Sequence, residues 1–379
     1  MTLADGSRVP CCSCGGCGGE HAANSAATSN SGIIRASENL YSGVCMGAHY
    51  RIDGREAVGR QFAATPRDNM ETTLSDTSEL KTLRDLIRWG ASRFNAEKLC
   101  FGHGTDNAFD EARSLVCHAL HLPFVFPEDY LAAQVTSAEH QAVVELLDAR
   151  IKTRKPAAYL THEAWFAGLP FYVDERVLVP RSPLAEWIER GFAPWLEADE
   201  VDRVLDLCTG SGCIAIACAA HFDNAEVDAV ELSPEALEVA RQNVERHDLE
   251  DWVHLYRSDL FDALPPEQYQ LIISNPPYVS EAELQALPDE YGHEPVIGLL
   301  ADQEGLAIVV RILAQATDYL ADDGILVVEV GNSEALLVEC FPEVPFQWLE
   351  FERGGQGVFL LDAEQLKAHR QVFEAVLNT

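Results

Sequence analysis

Five short apolar runs in the last half of the chain, Val204–Leu207, Val227–Val230, Val253–Tyr256, Leu271–Ser274 and Ile325–Val330, constrain the fold most. Helical periodicity fills the intervals near 213–221, 234–247 and 304–320. Runs without a polar face read as strands buried on both sides, and their alternation with helices calls for a mostly parallel, doubly wound α/β sheet. A helix near 183–192 precedes them. Two later runs, Phe346–Phe351 and Val358–Leu361, flank Gly354-Gly355-Gln356-Gly357. No helix fits between them, so this edge is expected to close as an antiparallel hairpin.

Upstream the pattern changes. From 76 to 152 the period is helical: Leu80, Leu83, Leu86, Ile87 and Phe94 mark one helix, and Phe109, Ala112, Val116, Ala119 and Leu120 a second, capped by Asp106 or Asn107. Thr136 and Glu139 form a capping box before Val143, Val144, Leu147 and Ile151. Residues 163–180 read as a hairpin turning at Gly168-Leu169-Pro170. The organisation expected is an extension over 1–69, a helical domain over 70–155, a hairpin linker over 156–182 and a sheet domain over 183–379.

Residues 1–69 are rich in small polar residues, lack apolar periodicity and read as disordered. Regular pattern begins just after Met70, which marks it as a translation start. Cys11, Cys12, Cys14 and Cys17 lie close together, but no second pair follows at zinc-finger distance, so no metal is expected. No run of 18 apolar residues and no secretory leader is present, which predicts a cytoplasmic protein without a membrane span.

Net charge is −34, from 27 basic and 61 acidic residues. The first 69 residues hold six of each sign, so the remainder carries the whole excess. Such a field repels phosphate backbones and excludes tight sequence-independent nucleic-acid binding; it suits a solvated surface and a basic protein partner.

The chemistry-bearing residues fall at the ends of the strands. The first strand runs through Asp206 into Cys208-Thr209-Gly210-Ser211-Gly212 and a helix, letting backbone approach a ligand at the carboxyl edge. Ala215 stands where a dinucleotide fingerprint needs its third glycine, and no lysine follows, which weakens NAD and ATP alike. Glu231, 19 residues beyond Gly212, is placed to accept ribose hydroxyls. Ser258-Asp259-Leu260 offers a carboxylate to an adenine amino group. Together these describe a nucleoside site without a polyphosphate requirement, which favours S-adenosyl-L-methionine.

Asn275-Pro276-Pro277-Tyr278 follows the fourth strand. Two prolines fix φ and remove two N–H donors, leaving a stiff loop of acceptors. The Asn275 side-chain oxygen and the Pro276 carbonyl can each take one N–H of a planar –NH2 group, while Tyr278 offers a stacking face. An exocyclic adenine amine can use the same arrangement, so a DNA adenine-N6 methyltransferase is the rival reading; it needs a basic groove that this chain lacks.

In these motifs, over about residues 76–362, the chain resembles the N5-glutamine methyltransferases, class I (Rossmann-like) S-adenosylmethionine-dependent enzymes acting on translation proteins. The resemblance implies that Cys208–Gly212, Glu231 and the residues around Asp259 hold the cofactor, and that Asn275–Tyr278 hold the substrate amide. It implies that Val179-Pro180-Arg181 and Phe166 cover the active site. Phe101–Ala108, His293-Glu294-Pro295, Glu329–Ser333 and Trp348–Glu352 look like the branch that acts on large-subunit ribosomal protein L-three, rather than on release factors. Cys208, in place of the usual glycine, fits that branch; Glu231 departs from an expected aspartate. His103 and His293 are read as structural or substrate-contacting, not as catalytic bases. Residues 1–69 match nothing in the family.

Overall fold

A computed structural model describes residues 77–377. The 1–69 extension, its cysteine group and Met70 lie outside the described residues.

Helix α1 (Leu83–Ala96) starts where Thr82 and Asp85 cap each other reciprocally. In α2 (Ala108–Ala119), Asn107 is the cap, its side-chain oxygen accepting from the N–H groups of Phe109 and Asp110. Ala112 and Val116 face the core as expected, but Phe109 is half exposed and Ala108 and Leu115 are buried in its stead. That choice puts Glu111 inward as well. Helix α3 (Ser137–Thr153) opens with the Thr136–Glu139 box and buries Val143, Val144 and Leu147; α4 (Ala157–Thr161) follows. These helices share one apolar cluster of their own.

Arg150 of α3 is fully buried. The guanidinium donates from Nε to Glu111 at 2.7 Å and from Nη2 to the Cys100 carbonyl at 3.0 Å. Its Nη1 lies 3.6 Å from Glu290, which belongs to the sheet half. Glu290 Oε1 also accepts from the Cys100 N–H and pairs with Arg154, each at 2.9 Å. One buried carboxylate therefore bolts the bundle to the loop carrying residues 289–293.

In the hairpin, β1 (Ala164–Phe166) pairs with β2 (Leu169–Phe171). The turn is Ala167-Gly168, both with positive φ, so Leu169 and Pro170 belong to the second strand and not to the turn. Phe166 and Phe171 meet edge to face inside the core.

The sheet is ordered β5-β4-β3-β6-β7-β9-β8, with β3 Arg203–Leu207, β4 Glu226–Glu231, β5 Val253–Arg257, β6 Tyr269–Ser274, β7 Leu320–Glu329, β8 Gln347–Trp348 and β9 Val358–Asp362. The first five pair in parallel; β9 runs antiparallel to β7 and to β8. Helices α5 (Leu184–Glu189), α6 (Cys213–His221), α7 (Pro234–Arg246) and α9 (Ala307–Gln315) occupy the expected places. Three more were not expected: α8 (Glu281–Ala286), α10 (Glu334–Cys340) and α11 (Ala363–Leu377). Apolar clusters fill both faces of the sheet. The chain winds outward from β3 through β5, then returns to β6 on the other side. Strand order thus reverses between β3 and β6, which opens a crevice beyond their carboxyl ends.

Among the described residues no helix is long and apolar enough to cross a membrane. Arg150→Leu leaves the buried Glu111 carboxylate without its cation, while Glu290 keeps Arg154, and is expected to lower unfolding free energy by about 3–5 kcal/mol. Lys367→Ala, which removes only the exposed pair with Asp322, is expected to cost less than ~1 kcal/mol. Urea titrations of both variants check this contrast.

Candidate active site

Two adjoining cavities occupy the crevice. The larger, about 340 Å³, is bordered by Cys208, Thr209, Gly210 and Ser211 after β3, Glu231 after β4, and Asp259 and Leu260 after β5. The smaller, about 290 Å³, is bordered by Pro276, Tyr278, Tyr291 and Glu329. Asn275, Arg181, Leu178 and Gly298 border both. A side chain at Asn275 therefore faces a ligand in either space.

The β3 turn is built from left-handed backbone. Cys208, Gly210 and Gly212 have φ of 61°, 57° and 81°. For Cys208 this conformation is costly, and the position is held by what surrounds it. Glu231 ties the turn down: Oε2 accepts from the Gly210 N–H and Oε1 from the Ser233 N–H, both at 2.9 Å. Burial raises its pKa, and those backbone bonds oppose the rise.

Two expected contacts move one layer back. Asp206 is fully buried and does not border the cavity; it accepts from Thr209 Oγ1 at 2.5 Å and from the Ala215 N–H at 3.1 Å, shaping the turn from beneath. Burial pushes its pKa up to about 7. Gly212 also stands off the cavity. A Cβ there would meet that of Ala240 at 3.3 Å, so this glycine serves the approach of α7. Asp259 borders the cavity and pairs with Arg311 at 2.9 Å.

On the other side, Ser274 Oγ donates to the Leu207 carbonyl at 2.8 Å, locking the ends of β6 and β3 together just before Asn275. The Tyr278 ring is clamped. Its hydroxyl donates to Glu329 at 2.8 Å, and a Cβ on Gly331 would lie 2.5 Å from the ring. Burial, and then the Glu329 charge, raises the Tyr278 pKa well above the ordinary tyrosine value, so the ring stays a neutral O–H donor.

Pro180 borders the larger cavity and Arg181 both. Phe166 does not reach either: it is 1% exposed, and the short hairpin directs it into the core beside Phe171. The wall expected of Phe166 comes instead from 295–301, where Pro295, Ile297, Leu300 and Ala301 border the larger cavity. Sequence reading had no signal for this wall, because its residues follow no period. Glu294 was also missed as a functional residue. It accepts two hydrogen bonds from Arg181, at 2.5 and 2.8 Å, and one from the Val179 N–H at 3.1 Å. His103 approaches it at 3.4 Å from the helical bundle. His293 contacts the Thr153 carbonyl at 2.9 Å, and neither histidine borders either of these two cavities.

The family model described as methyltransferase small domain matches residues 190–288. A ribosomal protein uL3 glutamine methyltransferase of Xanthomonas campestris pv. campestris is 50% identical over 297 residues, covering 78% of this chain and 96% of that protein. A protein of the same name from Xylella fastidiosa is 49% identical over 304 residues, covering 80% and 97% respectively. Among solved structures, a methyltransferase from Pyrococcus furiosus overlays with a TM-score of 0.38 at 22% identity, covering 51% of this chain and 87% of that one.

Burial would raise the Glu294 pKa, but the Arg181 guanidinium overrides it and holds the carboxyl down at about 2. A depressed carboxyl contributes stability above its unfolded pKa, and that contribution fades as pH falls from about 4.5 towards 2. Glu294→Gln is therefore expected to be less stable than the wild type at neutral pH, with the gap narrowing through that window. Urea midpoints measured from pH 7 to pH 3 test the sign.

Proposed function

The chain belongs to the ribosomal protein uL3 glutamine methyltransferase family, and on that premise we propose that it methylates the side-chain amide nitrogen (N5) of a glutamine in ribosomal protein uL3, with S-adenosyl-L-methionine as donor. The observation that carries this reading is the loop Asn275–Tyr278, with its side-chain and proline carbonyl acceptors, standing where the two cavities meet.

The larger cavity suits the donor. Its left-handed turn presents backbone, and Glu231 stands beside it. The cations on its border are Arg176 and Arg181, each paired with a carboxylate (Asp174 and Glu294), so no cation is left over for a polyphosphate. Thr209, Gly210, Ser211, Glu231, Asp259 and Leu260 would hold S-adenosyl-L-methionine, with Asp206 and Gly212 shaping the turn. When bound there, it supplies an electrophilic sulfonium methyl.

The residues of the smaller cavity act on the amide. An amide nitrogen is a poor nucleophile because its lone pair is delocalised into the carbonyl. The Asn275 side-chain oxygen and the Pro276 carbonyl accept its two N–H bonds, and Pro277 keeps their spacing rigid. Acceptors so placed favour positive charge developing on nitrogen, and a fixed near-attack geometry is worth about 7–11 kcal/mol. No base is required beforehand: as the N–CH3 bond forms and the S–CH3 bond breaks, the amide nitrogen becomes cationic, and in that form it is acidic enough to lose a proton to water.

Charge supports a basic protein substrate. Residues 156–379 hold 42 acidic and 11 basic side chains, whereas 77–155 hold 11 and 10. The segment walling the smaller cavity, 279–305, carries seven acidic residues and neither lysine nor arginine. The same field opposes a DNA substrate. We assign the helical domain (70–155) to recognition of the substrate protein and the hairpin linker (156–182) to joining it to the catalytic domain (183–379), in a cytoplasmic enzyme.

Asn275→Ala is expected to lower kcat about 100–1000-fold, while S-adenosylmethionine affinity by calorimetry falls less than tenfold. In a labelled-methyl assay, label should appear on a glutamine of uL3 and on neither a release factor nor duplex DNA; label on either of these overturns the substrate assignment. Raising ionic strength is expected to raise KM for uL3 and leave kcat unchanged.

A further inference from the structure

Glu329 ends β7, next to the strand that delivers Asn275: Val328 pairs with Ser274 in the parallel register. The residue is 2% exposed and borders the smaller cavity. One carboxylate oxygen accepts from the Tyr278 hydroxyl at 2.8 Å, and the other from Ser182 Oγ at 2.5 Å. Ser182 borders the larger cavity and its oxygen also accepts from the Leu184 N–H at 3.1 Å. A single buried carboxylate thus bridges the wall of one cavity and the aromatic ring of the other.

Gly331, two residues on, leaves no slack beneath that ring, and Ser333 Oγ donates to the Tyr278 carbonyl at 3.3 Å. Ring, hydroxyl and backbone of Tyr278 are each held by the stretch from Glu329 to Ser333. A tyrosine left to rotate would not keep the amide plane aligned with the Asn275 oxygen, and small misplacements are expensive in transfer reactions.

We infer that Glu329 is a positioning residue for methyl transfer, acting through the Tyr278 hydroxyl to fix the ring against which the glutamine amide lies. The inference rests on the glutamine-methylation reading above. Glutamine is conservative here, since its carbonyl accepts from Tyr278 and its –NH2 donates to the Ser182 oxygen.

The test measures kcat, KM for uL3 and melting temperature for wild type, Tyr278→Phe, Glu329→Ala, Glu329→Gln and the double variants. Tyr278→Phe and Glu329→Ala are each expected to lower kcat about 10–100-fold with KM little changed. Their double variant should be no slower than either alone, and Glu329→Gln should recover most of the activity. Additive losses, or a Glu329→Gln as slow as Glu329→Ala, overturn the inference. If Glu329→Ala does not fold, Glu329→Gln decides: near-wild-type kcat alone and no added loss on Tyr278→Phe support it, and a loss that adds to that of Tyr278→Phe overturns it. Wild type that leaves uL3 unlabelled refutes the substrate reading instead, and is told apart because no variant enters that comparison.

Discussion

Arg181 and Glu294 form the contact on which the crevice depends. The arginine borders both cavities, and its partner comes from a loop far along the chain. Tyr291 lies under the guanidinium at 5.4 Å and also packs at a tilt against His103, ring centroids 4.4 Å apart. Through these rings and the His103–Glu294 approach, the helical bundle, the segment after the hairpin and the wall of the smaller cavity share one buried cluster. Removing two charges from water is costly, and an apolar pair of similar volume often gives equal stability. What the ion pair supplies is direction: a bidentate fork admits one relative placement of the groups it joins.

The second carboxylate of the loop, Glu290, repeats the arrangement with Arg150 and Arg154. Four residues apart, Glu290 and Glu294 point into the same interface between bundle and sheet. Bundle and sheet are thus registered by charge as well as by apolar contact. The acceptor loop benefits, because Val279 leads from Tyr278 straight into this braced segment.

Most of the sheet was legible because buried parallel strands are uniformly apolar and their ends carry glycine and proline punctuation. The five runs from Val204 to Val330 are strands, and Asn275, Glu231, Cys208–Ser211, Asp259, Leu260, Pro180 and Arg181 all border the crevice. What was not legible depends on three-dimensional placement. Phe109 fits a helical face as well as Leu115 does, and only packing chooses between them. Phe166 reads as a lid residue, but its ring packs edge to face on Phe171 inside the core. Asp206 and Gly212 sit in the right motif yet act from behind it. Glu294 and Glu329 could be quoted as parts of family-like strings, but their partners Arg181, Ser182 and Tyr278 lie 113, 147 and 51 residues away, beyond the reach of any local pattern.

The uneven spread of charge has a kinetic consequence. With 42 acidic against 11 basic residues from 156 onward, and near balance in the helices before it, the molecule is a macroscopic dipole. In the field of a polycation a dipole experiences torque as well as attraction, and it turns its negative pole forward before contact. The negative pole is the end that holds the crevice. Random tumbling is thereby narrowed to encounters that begin facing the right way, an orientational filter acting at about a Debye length, some 8–10 Å, before any surface touches.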